Sequence, residues 1–250
     1  MHRLRTIAIA IITLLLIVGV WRWDVLSHLR LLIGMILMAS AGGILFSTFR
    51  EEEATGKYAS AFALYGTALL LVPEWSPLLI LMLIGGLIMQ SMNLRSFMAA
   101  IVGLLVPAWI LAGVFFLIDK NEMTLDMLSR LWRFDAIRYS NLNITQWVCL
   151  LPAVVGGIPA ILRYPVLSFE LRTNSRARYL FLLVFYFGTL VYLALQPTRF
   201  ESLAPLLLVT AASFFDIHTE RQHNGPMLFI LLILFTLLIA ACLTLPIWMP

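Results

Sequence analysis

The sequence predicts an all-α integral membrane protein: a polytopic bundle of eight or nine transmembrane helices with one interfacial amphipathic helix. Three observations support this fold class. Of the 250 residues, 62% are hydrophobic and 12% are charged, whereas a soluble domain carries about 25% charged residues. The mean hydropathy is +0.96, and the apolar residues occur in runs of the length that a bilayer requires. These values exclude a cytosolic globular enzyme, a disordered chain and a secreted disulfide scaffold.

Nine apolar runs are candidate spans of a single transmembrane domain over residues 1–250, because a spanning helix needs about 20 mostly apolar residues. They lie near residues 6–20, 29–49, 58–72, 77–92, 97–118, 144–162, 179–195, 203–215 and 226–246. The first run follows a basic start without a small-x-small cleavage site, so we interpret it as an uncleaved span. If the nine runs all span, the segments on the same side of the membrane as the N-terminus hold slightly more Lys and Arg residues than the segments on the other side. This bias predicts a cytoplasmic N-terminus.

The third and fourth runs are separated by Pro73-Glu74-Trp75-Ser76-Pro77. Two prolines prevent one continuous helix here. One interpretation is a tight hairpin of two spans with Glu74 and Trp75 at the membrane surface. The other is a re-entrant or broken pair of helices, which transporters use to bring helix ends to a site inside the membrane.

Three pairs of adjacent glycines lie within predicted spans. Small residues in a membrane helix allow a neighbouring helix to approach closely. We therefore expect close packing at each pair, namely Gly42-Gly43, Gly85-Gly86 and Gly156-Gly157.

The longest segment between spans contains an amphipathic helix, predicted over residues 122–139. Leu128, Leu131 and Trp132 share one face, and Asp126 precedes Arg130 by four residues, which is a favourable pairing on a helix. Arginines beside aromatic residues suit a helix in the headgroup layer. The segment is either an interfacial connector or a gate over a cavity.

Basic residues near predicted membrane surfaces are candidate contacts for anionic headgroups, because clustered arginines bind the phosphates of lipids. These candidates are Arg95, Arg172, Arg176 and Arg178. The alternative is that the basic loop between residues 163 and 178 is a topological anchor on the cytoplasmic side.

Arg199 and Glu201 are the candidate catalytic residues. They lie two positions apart between Pro197 and Pro205, directly before the short run 203–215. Ionisable groups below the headgroups are costly and usually face a polar cavity or each other. An arginine there could bind a phosphate through two hydrogen bonds, and the glutamate could act as a base. The alternative is a loop that simply reaches water.

A polar segment after the eighth run contains weak candidates for metal ligands: Asp216, His218, Glu220 and His223. Nitrogen and oxygen ligands of this kind suit Zn²⁺ or Mn²⁺. The order is His-x-Glu-x-x-His, however, and not the His-Glu-x-x-His that places two ligands one helical turn apart. A solvated polar turn is the favoured interpretation, and we expect neither a metal site nor a cofactor. Cys149 and Cys242 both lie in predicted spans, where we expect buried thiols.

Four places along the chain together resemble an uncharacterised family of bacterial polytopic inner-membrane proteins, which is defined by a domain of unknown function. They are the Glu53-to-Phe62 entry to the third span, Leu94-Arg95-Ser96-Phe97 running into Gly103 and Pro107, the basic entry Arg176–Arg178, and Pro197-Thr198-Arg199-Phe200-Glu201-Ser202-Leu203 with Pro205. The resemblance implies a multi-pass membrane bundle in the bacterial cytoplasmic (inner) membrane. It implies no reaction.

The sequence contains no complete catalytic set, so whether the protein is an enzyme stays open. Our first functional hypothesis is the handling of an envelope lipid or a lipid-linked glycan, as a flippase or transferase, since the candidate arginines lie where a phosphorylated headgroup would meet them. The alternatives are a non-catalytic subunit of a membrane complex and a secondary transporter. The expected partners are membrane lipids and, for a subunit, other inner-membrane proteins. No nucleic acid is expected, because no basic run exceeds a few residues.

Overall fold

The computed structural model describes residues 25–119 and 173–219, together with 129–131, 157, 161, 164 and 165. Every regular element in these residues is helical, which confirms the all-α class. Three of the helices are long and apolar enough to cross a membrane, at Leu29–Phe46, Leu94–Leu117 and Thr173–Leu195. The runs 6–20, 144–162 (apart from two single residues) and 226–246, and most of the amphipathic segment 122–139, lie outside the described residues.

Six α-helices and two short 3-10 helices make up the described part of the chain. The α-helices are α1 (Val25–Phe46), α2 (Thr55–Leu71), α3 (Leu78–Ile88), α4 (Leu94–Leu117), α5 (Thr173–Leu195) and α6 (Phe200–Thr219). The 3-10 helices, Pro73–Trp75 and Pro197–Arg199, each begin at a proline and each join two α-helices. The prolines therefore break the chain where the sequence predicts.

Helix α3 is shorter than the predicted run 77–92. It has 11 residues, or about 16 Å at 1.5 Å per residue, against roughly 30 Å of hydrocarbon in a bilayer. The helix stops because Gln90 adopts a left-handed conformation with φ of 56°. The next helix starts at Leu94, where the Asn93 side chain caps it by accepting from the backbone N–H of Ser96 at 2.8 Å.

Helix α5 begins at Thr173, before the predicted start at residue 179. Its first two turns include Arg176 and Arg178, which the sequence suggested lie in a loop. Arginine has a high helix propensity, so the helix continues without interruption from its polar first turns into the apolar run. These two guanidinium groups are consequently held on a helix.

The chain divides into two compact units. The first unit comprises Leu29–Asp135 and Arg172–Phe181, and the second comprises Met1–His28, Ala136–Leu171 and Leu182–Pro250. Helices α2, α3 and α4 lie in the first unit, as does the start of α5. The remainder of α5 and the whole of α6 lie in the second.

An aromatic row on α2 forms the centre of the first unit. Tyr58 stacks on Phe62, whose ring meets Tyr65 edge to face, and all three are buried. Tyr65 donates its hydroxyl to the Trp75 carbonyl oxygen at 2.7 Å. Trp75 is 0% exposed and packs against Gly34 of α1. The turn between α2 and α3 therefore folds the Trp75 indole into the core of this unit.

Helices α2 and α4 of the first unit cross through glycines outside the three pairs. A Cβ on Gly66 would lie 2.7 Å from the Leu104 carbonyl oxygen, and one on Gly103 would overlap the Ala59 carbonyl oxygen. Pro107 lies inside α4, one turn after Gly103, where its ring removes a backbone hydrogen bond and bends a helix. The backbones of α2 and α4 are thus in direct contact.

The glycine pairs behave differently from one another. The prediction is confirmed for Gly85 and Gly86, since added Cβ atoms would overlap the Phe181 ring and approach the Tyr58 hydroxyl at 2.9 Å. Gly157 lies directly against the Tyr186 ring in the second unit, while Gly156 falls outside the described residues. At Gly42 and Gly43 no described atom lies within 4 Å of a built Cβ, so no described helix approaches closely there.

The outer face of α4 is apolar along its whole length. Trp109 is 79% exposed, and large hydrophobic side chains on the same helix are also exposed, among them Leu94, Met98, Val102, Leu105, Ile110, Phe116 and Leu117. A contiguous apolar face of this size is rare on soluble monomers and is suited to the acyl chains of a bilayer. The helix is therefore membrane-type in both length and surface.

Candidate functional site

Contacts between distant segments gather five cationic side chains at one end of the first unit, which we call the basic end. Asn93 Nδ2 donates to the Glu52 carbonyl oxygen at 3.0 Å, so the start of α4 lies beside the segment before α2. Arg178 Nη2 lies 3.4 Å from the Phe46 carbonyl oxygen, which places the start of α5 beside the end of α1. The basic end comprises residues 46–57, 89–96 and 173–178, with the cations Arg50, Lys57, Arg95, Arg176 and Arg178.

The charge of the basic end is positive on balance. Three carboxylates share it, Glu51, Glu52 and Glu53. Lys57 forms an ion pair with Glu51, so this pair adds no net charge. The guanidinium groups of Arg50, Arg95 and Arg176 belong to exposed residues, whereas Arg178 is only partly exposed. Most of the positive charge is therefore available to a ligand or a membrane surface.

Two turns with left-handed backbone residues are joined at the basic end. Arg50 has a φ of 55° and Gln90 a φ of 56°, conformations that L-residues other than glycine rarely adopt. The backbone N–H of Arg50 donates to the Met89 carbonyl oxygen at 3.0 Å. The side-chain Nε of Arg50 donates to Gln90 Oε1, also at 3.0 Å. These two bonds hold the end of α1 against the end of α3.

Arg178 and Asn174 present buried polar atoms at this end. They lie four residues apart on α5 and so share one face of the helix. Arg178 Nε and Asn174 Oδ1 are buried, and neither has a hydrogen-bond partner among the described residues. Buried polar atoms in proteins are almost always hydrogen-bonded, so this pair is an unusual feature of the basic end.

Phe181 fixes the start of α5 in the first unit. Its ring meets that of Phe46 edge to face with centroids 5.3 Å apart, and it lies directly on the bare backbone of Gly85. Phe181 follows Arg178 by three residues, so it shares the face that carries Asn174 and Arg178. This apolar contact on α1 and α3 positions the two polar side chains.

The structure therefore brings together three of the four predicted headgroup contacts. Arg95, Arg176 and Arg178 lie at the basic end, and Arg172 is outside the described residues. Sequence reasoning missed Arg50 and Asn174 as members of this site. Arg50 directly follows a predicted span, which is a usable signal for a residue at the headgroup level. Asn174 carries no signal of its own.

The predicted pair of Arg199 and Glu201 is separated in the second unit. Arg199 is 7% exposed, and its Nη1 donates to the Tyr192 hydroxyl at 3.0 Å. Buried Gln196 and Ser202 flank it, and Ser202 Oγ donates to the Arg199 carbonyl oxygen at 3.0 Å. Glu201 belongs to the exposed surface. The 3-10 turn at Pro197–Arg199 points the guanidinium inward, and the first turn of α6 directs the carboxylate outward.

The candidate metal ligands lie outside the residues whose side chains the structure describes. Asp216 and His218 belong to the last turn of α6, while Glu220 and His223 are outside the described residues. Among residues 25–119 and 173–219, no three His, Cys, Asp or Glu side chains lie together in a way that could hold a metal ion.

An apolar cavity of about 270 Å³ lies beside the α2–α4 crossing. Its walls are Leu69, Leu70, Pro73, Leu105, Ala108, Trp109, Leu111, Ala112, Phe115 and Leu131. Ser76 Oγ donates to the Leu131 carbonyl oxygen at 2.6 Å, which ties the residue at one edge of the cavity to the turn before α3. The walls offer hydrocarbon almost exclusively, so this cavity is suited to an apolar chain and to no polar reaction.

Comparison with known proteins gives one match. The profile of DUF6427, a family of unknown function, matches residues 43–210. No curated protein and no solved structure matches the chain. The matched range contains the whole basic end and the Arg199 turn.

Proposed function

The chain belongs to the DUF6427 family of unknown function, and we propose from its basic end that it is a multi-pass protein of the bacterial inner membrane that binds anionic lipid headgroups. In this proposal its role is the handling of an envelope lipid or a lipid-linked glycan, as a flippase or transferase. The observation that carries the proposal is the convergence of cations from separate segments, each following or preceding an apolar helix.

Charge and position both support lipid binding at the basic end. The arginines lie in the first turns of α4 and α5 and directly after α1, where the apolar part of each helix begins. Juxtamembrane Lys and Arg clusters attract anionic lipids, with about 1 kcal/mol per residue near the surface. Guanidinium groups are suited to phosphate because they donate two parallel hydrogen bonds.

The same charges support the proposed topology. Loops rich in Lys and Arg are retained in the cytoplasm, so the basic end faces the cytoplasm in our proposal. The described helices coincide with six of the nine apolar runs, and the proposed bundle has eight or nine spans. The number of spans depends mainly on whether α2 and α3 form two spans or a re-entrant pair.

A secondary transporter is the second candidate function, and helix α3 favours it. An 11-residue helix of about 16 Å, joined to α2 by a 3-10 turn whose Trp75 is buried, is the kind of interrupted element that lines transport sites. This function requires solute uptake into proteoliposomes that collapses when the ion gradient is removed. Lipid binding without uptake would exclude it.

Ligand-induced stabilisation of the purified protein tests the lipid proposal. A ligand present at about 100 times its Kd stabilises the folded state by about 2.7 kcal/mol, which raises the Tm of a protein of this size by roughly 5–10 °C. We expect phosphatidylglycerol to produce this shift in detergent micelles and phosphatidylcholine to produce none. The double variant Arg95→Gln, Arg176→Gln should lose most of the shift.

The matched control is Arg30→Gln. Arg30 is exposed and lies on α1 16 residues before Phe46, which is about 24 Å from the basic end along the helix. The control should respond to phosphatidylglycerol as the wild type does. An equal loss in the control and the double variant, or no difference between the two lipids, would contradict the proposal. A stoichiometric protein partner without a specific lipid would favour the subunit hypothesis.

A further inference from the structure

Three buried polar atoms at the basic end lack a hydrogen-bond partner among the described residues: Ser96 Oγ at the start of α4 and two atoms on α5. Arg178 Nε is a charged donor and Asn174 Oδ1 is an acceptor, and neither meets a partner among the described residues. Among the described residues, Arg178 contacts the Phe46 carbonyl oxygen through Nη2, at 3.4 Å. An unpaired donor on a charged group is costly to bury, so a ligand that pairs with both atoms is expected.

The two atoms require opposite partners at different depths. Arg178 Nε needs an acceptor, and an anionic oxygen is the strongest acceptor for a guanidinium. Asn174 Oδ1 needs a donor, such as a hydroxyl or an ammonium group. Asn174 lies one helical turn closer to the start of α5, about 6 Å further from the apolar part of the helix. The anion is therefore the deeper group, and the donor is the outer one.

This order matches a phospholipid, whose phosphate lies next to the acyl region and whose headgroup extends toward water. We propose that Arg178 and Asn174 hold a phospholipid with a hydroxylated headgroup, the phosphate accepting from Arg178 Nε and a headgroup hydroxyl donating to Asn174 Oδ1. The inference rests on the proposed function, because it names the lipid class for the same basic end.

The charge around the site selects between the two kinds of donor. Arg95 and Arg176 belong to the same end, and they repel the ammonium group of phosphatidylethanolamine. A hydroxylated headgroup, as in phosphatidylglycerol, donates to Asn174 without adding positive charge. Phosphatidic acid has the phosphate and lacks the outer glycerol, so it engages Arg178 alone.

Native mass spectrometry of the full chain in detergent, titrated with each of the three lipids, tests the assignment. Losing a charge-assisted hydrogen bond lowers affinity about tenfold. We expect phosphatidylglycerol to bind about tenfold more tightly than phosphatidylethanolamine. Arg178→Lys, which keeps the charge and removes the Nε donor, should weaken phosphatidylglycerol binding about tenfold.

Arg30→Lys is the matched control, because Arg30 is exposed on α1, away from the basic end, and the variant also keeps its charge; it should bind phosphatidylglycerol as the wild type does. Asn174→Leu leaves Arg178 intact and should abolish the preference for phosphatidylglycerol over phosphatidic acid. This second variant keeps the test valid if Arg178→Lys lowers the yield of folded protein. Soluble glycerol phosphate should not displace the lipid, and displacement would identify a free anion as the ligand.

Different results would refute this inference and the proposed function. If the wild type prefers anionic lipids but Arg178→Lys and Asn174→Leu bind them as the wild type does, the Arg178–Asn174 site is refuted and general binding at the basic end stands. If the wild type does not distinguish anionic lipids from phosphatidylcholine, both proposals are refuted. Equal weakening in Arg178→Lys and Arg30→Lys also refutes the specific site.

Discussion

Replacing Gly103 by alanine should separate helices α2 and α4. A Cβ at this position would overlap the Ala59 carbonyl oxygen and lie 3.0 Å from both the carbonyl carbon and the Cα of Ala59. All three atoms belong to the backbone of α2, so no rotamer change can relieve the overlap. An ordinary C···O contact is roughly 3.3 Å or more, and the two helices must therefore move apart by about 1 Å.

The expected change in the free energy of unfolding of Gly103→Ala is the difference between two opposing effects. Overpacking a tight site costs about 1–3 kcal/mol, and a collision with backbone belongs at the upper end of that range. Alanine is also a better helix former than glycine by about 1 kcal/mol. The net destabilisation is therefore about 2 kcal/mol, which lowers the Tm of a chain of this size by roughly 4–8 °C.

Gly113→Ala on the same helix is the matched control. No described atom lies within 4 Å of a Cβ built there, so only the gain in helix propensity remains. Thermal unfolding in detergent, followed by circular dichroism and by the monodispersity of heated samples, measures both variants. Gly103→Ala should unfold at a lower temperature and Gly113→Ala at an equal or higher one. Equal midpoints for the two variants would refute the direct contact between α2 and α4.

Three further pairs of substitutions test other local features by the same thermal assay. Gln90→Gly should be more stable than Gln90→Ala by about 1 kcal/mol, because both lose the side-chain hydrogen bond and only alanine is strained at a φ of 56°; equal stability would contradict the left-handed turn. Asn93→Ala should cost about 1 kcal/mol through loss of the cap on Ser96, and Asn93→Ser should recover most of it, whereas identical losses would exclude capping. Arg199→Gln should lower stability by about 2 kcal/mol, since it removes a buried charged donor. Glu201→Gln at the surface should change stability by about 0.5 kcal/mol or less. A larger loss in Glu201→Gln than in Arg199→Gln would contradict the burial of Arg199 and the exposure of Glu201.

The sequence predicts the helical elements because apolar runs and prolines act locally. Pro73 and Pro77 flank the turn before α3, and Pro197 starts the 3-10 turn before α6. Each lies where a missing N–H and a fixed φ stop a helix regardless of its neighbours. Bounds that depend on polar residues were harder to predict: α5 starts before residue 179 because Arg176 and Arg178 are tolerated in a helix.

Packing partners could not be predicted in the same way. Adjacent glycines in a sequence suggest close helix packing, yet no described atom lies within 4 Å of a Cβ built at Gly42 or Gly43. The direct crossing uses Gly66 and Gly103, which are single glycines. A usable signal existed: Ser96, Ala100 and Gly103 are small, buried residues at helical spacing, which marks a face for close approach. Which helix meets that face depends on tertiary structure.

The candidate site was predicted in part. Arg95, Arg176 and Arg178 stood out because arginines beside apolar runs are visible in the sequence. Their convergence depends on contacts between residues far apart in the chain, such as Asn93 with Glu52. Arg199 and Glu201 diverge in the structure because two residues two positions apart on a helical turn point in different directions.

The central claim is that the basic end binds an anionic phospholipid, and the lipid that remains bound after gentle release from the native membrane tests it most directly. Native mass spectrometry should detect a bound anionic phospholipid on the wild type and on Arg30→Gln. The same mass should be largely lost from the double variant Arg95→Gln, Arg176→Gln, although its helices remain folded. Equal retention by all three proteins, or a wild type that carries only zwitterionic lipid, would contradict the claim.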